Sequence, residues 1–171
     1  MTKTALKKHL LSLSKEQIVE QVLGLYDTCK PAKEYFEYWL SPDEKAQFEK
    51  FKAIIVNEFY PIRMLAFPKM RFSVAKKAIA DFRVLSLSPE LPGDLMVTLA
   101  ETACRFANDK GDLWEQFYNS TATNYELALK FLHKNNLTDQ FKLRLHKCIK
   151  YSEYCGYGFS DEIERLYNEY Y

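Results

Sequence analysis

The stretch Leu95 to Ala107 constrains this chain more than any other. On a helix, at about 100° per residue, Leu95, Met96, Val97, Leu99, Ala100, Ala103, Cys104, Phe106 and Ala107 fill an arc of roughly 200°. Thr98, Glu101, Thr102 and Arg105 share the narrow remainder, where Glu101 and Arg105 are spaced for an exposed ion pair. An apolar arc this wide needs cover on more than one side, so other helices must surround it. The spacing predicts a central helix over 94–108. Pro92-Gly93 is expected to separate it from the start at Ser88-Pro89-Glu90, and Asn108 to Gly111 to close it.

The rest of the chain supplies those neighbours. Leu6, Leu10 and Leu13 give a short opening helix over 2–13. Ser14-Lys15-Glu16-Gln17 is a capping box, followed by an inner face of Ile18, Val22, Leu25 and Tyr26. Pro31 ends that helix near Cys29 and opens the next, whose stripe is Ala32, Tyr35, Phe36, Trp39 and Leu40. Ser41-Pro42-Asp43-Glu44 restarts the chain, with Phe48, Phe51, Ile54, Ile55 and Phe59 facing inward up to Pro61. Residues 61–71 read as the longest irregular connection. Phe72 to Leu85 returns to helix, with Ala75, Ala78, Ile79, Phe82 and Leu85 inside. Asp112 and Thr138 are expected caps. Their stripes are Trp114, Phe117, Tyr118, Thr121, Tyr125, Ala128 and Leu132, then Phe141, Leu145, Cys148, Ile149 and Ser152. Gly156-Tyr157-Gly158-Phe159 is a turn that tucks two aromatics inward before a last helix lined by Ile163, Leu166, Tyr167 and Tyr170.

The sum is an all-α protein of about nine helices. It is expected to be one domain over 1–171, an antiparallel array or irregular bundle around the central helix. Five glycines in 171 residues leave little turn chemistry for hairpins. Tyr125-Glu126-Leu127-Ala128-Leu129 has the flavour of a helical repeat, but no second copy follows about 34 residues away.

Net charge is +1, which argues against a generally basic nucleic-acid coat. The strongest local charge lies between Arg63 and Arg83, where Arg63, Lys69, Arg71, Lys76, Lys77 and Arg83 face only Asp81, giving +5. That segment is the candidate binding patch for a phosphate or an acidic partner, weighed against an ordinary solvated helix face. Glu153 to Tyr171 carries −4, so the two regions could neutralise each other within one chain or across a dimer. Tyr151, Tyr154, Tyr157, Tyr167, Tyr170 and Tyr171 exceed what one core face needs and suggest an interface.

Catalytic and cofactor signatures are missing. His9, His133 and His146 are far apart, and His146 and Cys148 point away from each other on one helix, so no metal site is expected. The Gly-Tyr-Gly-Phe stretch lacks the Lys-Ser/Thr of a phosphate loop, and no cofactor is expected. Cys29, Cys104, Cys148 and Cys155 form no CxxC pair and read as free thiols of a reducing cytoplasm. No run of apolar residues suits a membrane span.

Five stretches together resemble a family of short bacterial proteins known only as a domain of unknown function. They are Leu13-Ser14-Lys15-Glu16-Gln17, Lys69-Met70-Arg71-Phe72-Ser73-Val74-Ala75-Lys76-Lys77-Ala78-Ile79, Phe117-Tyr118-Asn119-Ser120, Gly156-Tyr157-Gly158-Phe159 and Tyr167-Asn168-Glu169-Tyr170-Tyr171. The resemblance covers nearly the whole chain and implies a single all-helical domain, without an activity or a site. Pro92 departs from it, because an unbroken helix from Pro89 would be expected there. The functional expectation is a non-catalytic binding or scaffold module acting on a protein partner or as a homodimer. A nucleic-acid or phospholigand binder using 63–83 is the alternative.

Overall fold

The computed structural model describes residues 2–40, 43–63, 66–86 and 88–171. Among them are nine α-helices and no strand. The chain divides into two compact units, Met1–Asp43 and Glu44–Tyr171.

The first unit holds α1 (Lys3–Leu11), α2 (Lys15–Thr28) and α3 (Lys30–Leu40). The capping box at the start of α2 forms in both directions: the Gln17 backbone N–H donates to Ser14 Oγ and the Ser14 N–H to Gln17 Oε1. α2 packs on α3. The Tyr26 hydroxyl donates to Glu37 Oε1 at 3.2 Å, and Lys33 lies over the Tyr26 ring. The middle of each stripe is half-buried: Ile18, Val22 and Tyr26 on α2, Ala32 and Phe36 on α3. The edges are not. Leu25 on one side of α2 stays exposed against expectation, as do Val19 and Leu23 on the other. Trp39 and Leu40, expected inside, are 66% and 75% exposed, while Tyr38 is the residue of α3 that is buried. Trp39 and Leu40 are the last two residues of α3, and one neighbouring helix does not cover a whole apolar arc from end to end. The expected cap at Ser41-Pro42 lies outside the described residues.

The second unit is built around α6 (Glu90–Lys110), which packs against α4 (Glu44–Phe59), α5 (Phe72–Leu85), α7 (Glu115–Lys134) and α8 (Thr138–Ser152). α9 (Phe159–Tyr170) rests on α7 and α8. The central helix is longer than the expected 94–108. Pro92 does not interrupt it, because it stands in the first turn, where its missing N–H would have had no helical partner. Gly93 has its own reason: a Cβ there would come within 3.0 Å of Leu132 Cδ2 and 3.5 Å of the Phe131 ring. Glycine lets α6 and α7 approach. Every residue of the expected arc is buried except Met96, which is half-buried.

Rings close the end of this core. Phe59 of α4 meets Phe72, Phe106 and Phe117 of α5, α6 and α7 at 5.3, 5.9 and 6.3 Å. Ile54 and Trp114, placed inside from their spacing, sit on the exposed margins of their stripes. Of the expected aromatic pair in the glycine turn, Phe159 is buried and Tyr157 is exposed. The turn is set by Tyr157 and Gly158, both at positive φ. Neither Asp112 nor Thr138 is a cap: Trp114 and Leu137 hold those positions, without a side-chain cap bond.

Candidate interaction surfaces

The six basic residues of 63–83 do not form one patch. Arg63, Lys69 and Arg71 border a hollow of about 610 Å³ between the end of α4 and the connection to α5. Its frame is Glu58, a carboxylate only 5% exposed. Arg71 grips it with Nε at 2.9 Å and Nη2 at 2.7 Å, and the Glu58 carbonyl accepts from the N–H groups of Lys69 and Met70. The guanidinium holds the Glu58 carboxyl below its usual range, outweighing the opposing effect of burial. Arg71 is therefore a structural cation first.

Lys76, Lys77 and Arg83 project from α5 as expected and are exposed. Lys77 pairs with Asp81 at 2.9 Å. Arg83 lies 5.1 Å above the Phe131 ring. Lys76 and Arg83 border a second hollow, about 150 Å³, on the seam between α5 and α7. The acidic C-terminal stretch closes charges of its own, with Arg165 bound to Glu162 and Glu169.

The seam between α6 and α8 carries a network that sequence reasoning missed. Glu101 and Arg105 do not pair with each other. Glu101 accepts from Arg144 Nε at 2.8 Å, and Arg105 turns to Asp109 at 3.7 Å and stacks on Tyr60 at 4.5 Å. Arg144 also donates to Asp94 at 2.5 Å and to the Thr98 hydroxyl at 3.0 Å, which burial of Thr98 requires. Asp94, Thr98 and Glu101 share one helix face, so an unmet acidic stripe was readable; that Arg144 of α8 answers it was not.

The remaining candidates resolve into packing. Tyr167 stacks on Tyr171 at 4.5 Å, Tyr170 meets His133, and the Tyr171 hydroxyl donates to the Thr138 carbonyl. Burial raises the Tyr171 hydroxyl to about 12. Tyr154 and Tyr157 are the two of the six that stay mainly exposed. Cys104 and Cys148 are free and fully buried; burial, then the neighbouring Cys148 thiol, pushes the Cys104 thiol well up, away from a nucleophilic thiolate. Among the described residues no cluster of His, Cys, Asp or Glu is arranged to hold a metal ion, and no helix is long and apolar enough to cross a membrane.

No curated protein and no solved structure matches the chain. A family model does match, from residue 1 to residue 171, and on that match the chain belongs to DUF6155, a family of unknown function.

Proposed function

We propose that this protein is a non-catalytic helical interaction module whose docking element is the Met1–Asp43 unit and whose partner is a second copy of itself. The observation that carries the reading is the uncovered margin of that unit. Leu6, Leu11, Val19, Leu23, Leu25, Tyr35, Trp39 and Leu40 are all exposed. No one side of the unit carries them all, so a second copy covers one margin of α2–α3 and the pairing is a small, weak interface rather than a standard one. Charge supports a self-pairing. Residues 1–43 hold six lysines and six acidic residues, and Lys30–Glu34 and Lys33–Glu37 pair within α3, so no field of one sign selects an opposite partner. Two α2–α3 hairpins laid together would each cover one margin of the other in the manner of a four-helix arrangement.

The alternative, a nucleic-acid or phospholigand surface on 63–83, has less support, because Arg71, Lys77 and Arg83 are already engaged. The cytoplasm of a bacterium is the setting proposed with this reading; the free thiols and the family resemblance support it.

Sedimentation equilibrium of the full chain, from about 1 to 100 μM, tests the proposal over the affinity range such an interface gives. The expected result is a mass that doubles with concentration, and a Leu23→Lys/Trp39→Lys double variant that stays monomeric with its helix content intact. A monomer throughout, or a dimer indifferent to the double variant, overturns it.

A further inference from the structure

The seam between α5 and α7 has two adjoining halves of different chemistry. One is the 150 Å³ hollow: α6 provides its floor with Met96 and Leu99, and Ile79, Ala80 and Leu127 provide its walls. A space of about 150 Å³ with such a lining suits a ring or a chain of about six carbons. The other half, about 250 Å³, is lined by Phe72, Gln116, Asn119, Ser120 and Thr123. Lys76 and Asn124 border both halves.

The polar groups at this junction are partly engaged. Asn124 Nδ2 donates to the Ser120 carbonyl at 2.7 Å, Thr123 Oγ1 donates to the Asn119 carbonyl, and Gln116 Nε2 reaches Ser120 Oγ at 3.4 Å. Among the described residues the ammonium of Lys76 and the side-chain amide of Asn119 have no such partner. Among the described residues no carboxylate lies within ion-pairing distance of Lys76, whereas its neighbour Lys77 has Asp81. An apolar slot beside a few unspent donors is the usual composition of a small-ligand site.

We propose that this seam binds a small carboxylate with a short apolar body, the body in the Met96–Leu99 slot and the carboxylate on Lys76 and Asn119. Among the described residues both cations on the slot, Lys76 and Arg83, lack a carboxylate partner, so the positive field there favours an anion. Arg83 is stacked on Phe131. The site stands apart from the self-pairing of the first unit and survives its failure.

Saturation-transfer NMR on the full chain tests it, with hexanoate, hexanol and hexylammonium as probes. Hexanoate is expected to bind with a Kd of roughly 1 mM or tighter, and hexylammonium about tenfold more weakly or not at all. Lys76→Gln should weaken hexanoate about fivefold while Lys77→Gln leaves it unchanged, a contrast that separates a bound cation from general surface charge. Ala80→Trp should fill the slot and abolish binding. Ala80 is exposed, so the variant is expected to fold, and Leu127→Trp from the opposite wall repeats the test. Absence of saturable hexanoate binding up to about 10 mM overturns the site. Equal binding of hexylammonium, or equal effects of Lys76→Gln and Lys77→Gln, overturns the role given to Lys76.

Discussion

α2 and α6 are both amphipathic helices with wide apolar arcs, and they meet different fates. α6 has four neighbours and buries nearly all of its arc. α2 packs on α3 and has no buried residue. The difference teaches that a wide arc states how many neighbours a helix can use, while the packing of the rest of the chain decides how many it receives. Where the neighbours are too few, the margin is left for something else.

The sharpest way to break the comparison is to delete the same side chain from both helices. Leu99→Ala should cost roughly 2–5 kcal/mol, because a fully buried leucine leaves a cavity. Leu23→Ala, from the α2 margin, should cost about 0.5 kcal/mol or less in the monomer and act on association instead. Urea melts of both variants check it; equal losses would mean that the two helices are covered alike.

The polar seam of α6 comes next in size. Arg144→Ala strands two largely covered carboxylates, Asp94 and Glu101, and should cost about 2–3 kcal/mol. Arg105→Ala, on the edge of α6 and with a half-exposed partner, should cost under about 1 kcal/mol. Thermal melts of the pair sharpen the contrast between a network that closes the unit and an ordinary surface pair.

Gly93→Ala is a smaller test of why α6 can be covered so closely. Alanine gains about 1 kcal/mol of helix propensity. Against that, its methyl meets Leu132, which is fully buried and cannot retreat, so a net loss of about 1 kcal/mol is expected. A stabilised variant would show that α6 and α7 have room to part.

Acid titration gives an effect of the same small size. Arg71 holds the Glu58 carboxyl below its ordinary 4.5 in the folded chain. The stabilisation is therefore full above that value and is lost as the pH falls through the depressed folded value. Glu58→Gln should lower stability by about 1 kcal/mol at neutral pH and flatten its decline below about pH 4.5. An unchanged acid limb would mean that Glu58 is not the group being titrated.

Much of the fold was legible because it rests on local rules. The helix over Phe72 to Leu85, the capping box at Ser14 and the stop before Pro61 each follow from residues within one or two turns. What escaped depends on the third dimension. Trp39 and Leu40 belong to a good stripe, but periodicity does not say how many helices will come to cover it. The central helix was cut short at Pro92, because tolerance of proline depends on its position in the first turn. Of the candidate site, spacing placed Lys76, Lys77 and Arg83 correctly on an exposed face. That Arg71 is committed to Glu58 thirteen residues away, that Arg83 rests on Phe131, and that Lys76 borders two hollows are matters of packing between helices.

The Arg144 network also bears on the order in which the chain assembles. Its partners lie 43 to 50 residues away in sequence, so it cannot form until α8 has docked on α6. Until then the guanidinium and both carboxylates remain hydrated, and nothing in the network helps α6 to nucleate with α7. It should therefore be absent from the folding transition state. In stopped-flow chevrons, Arg144→Met should leave the refolding limb nearly unchanged and raise the unfolding rate, a φ-value near zero. A slowed refolding limb would instead place α8 in the nucleus.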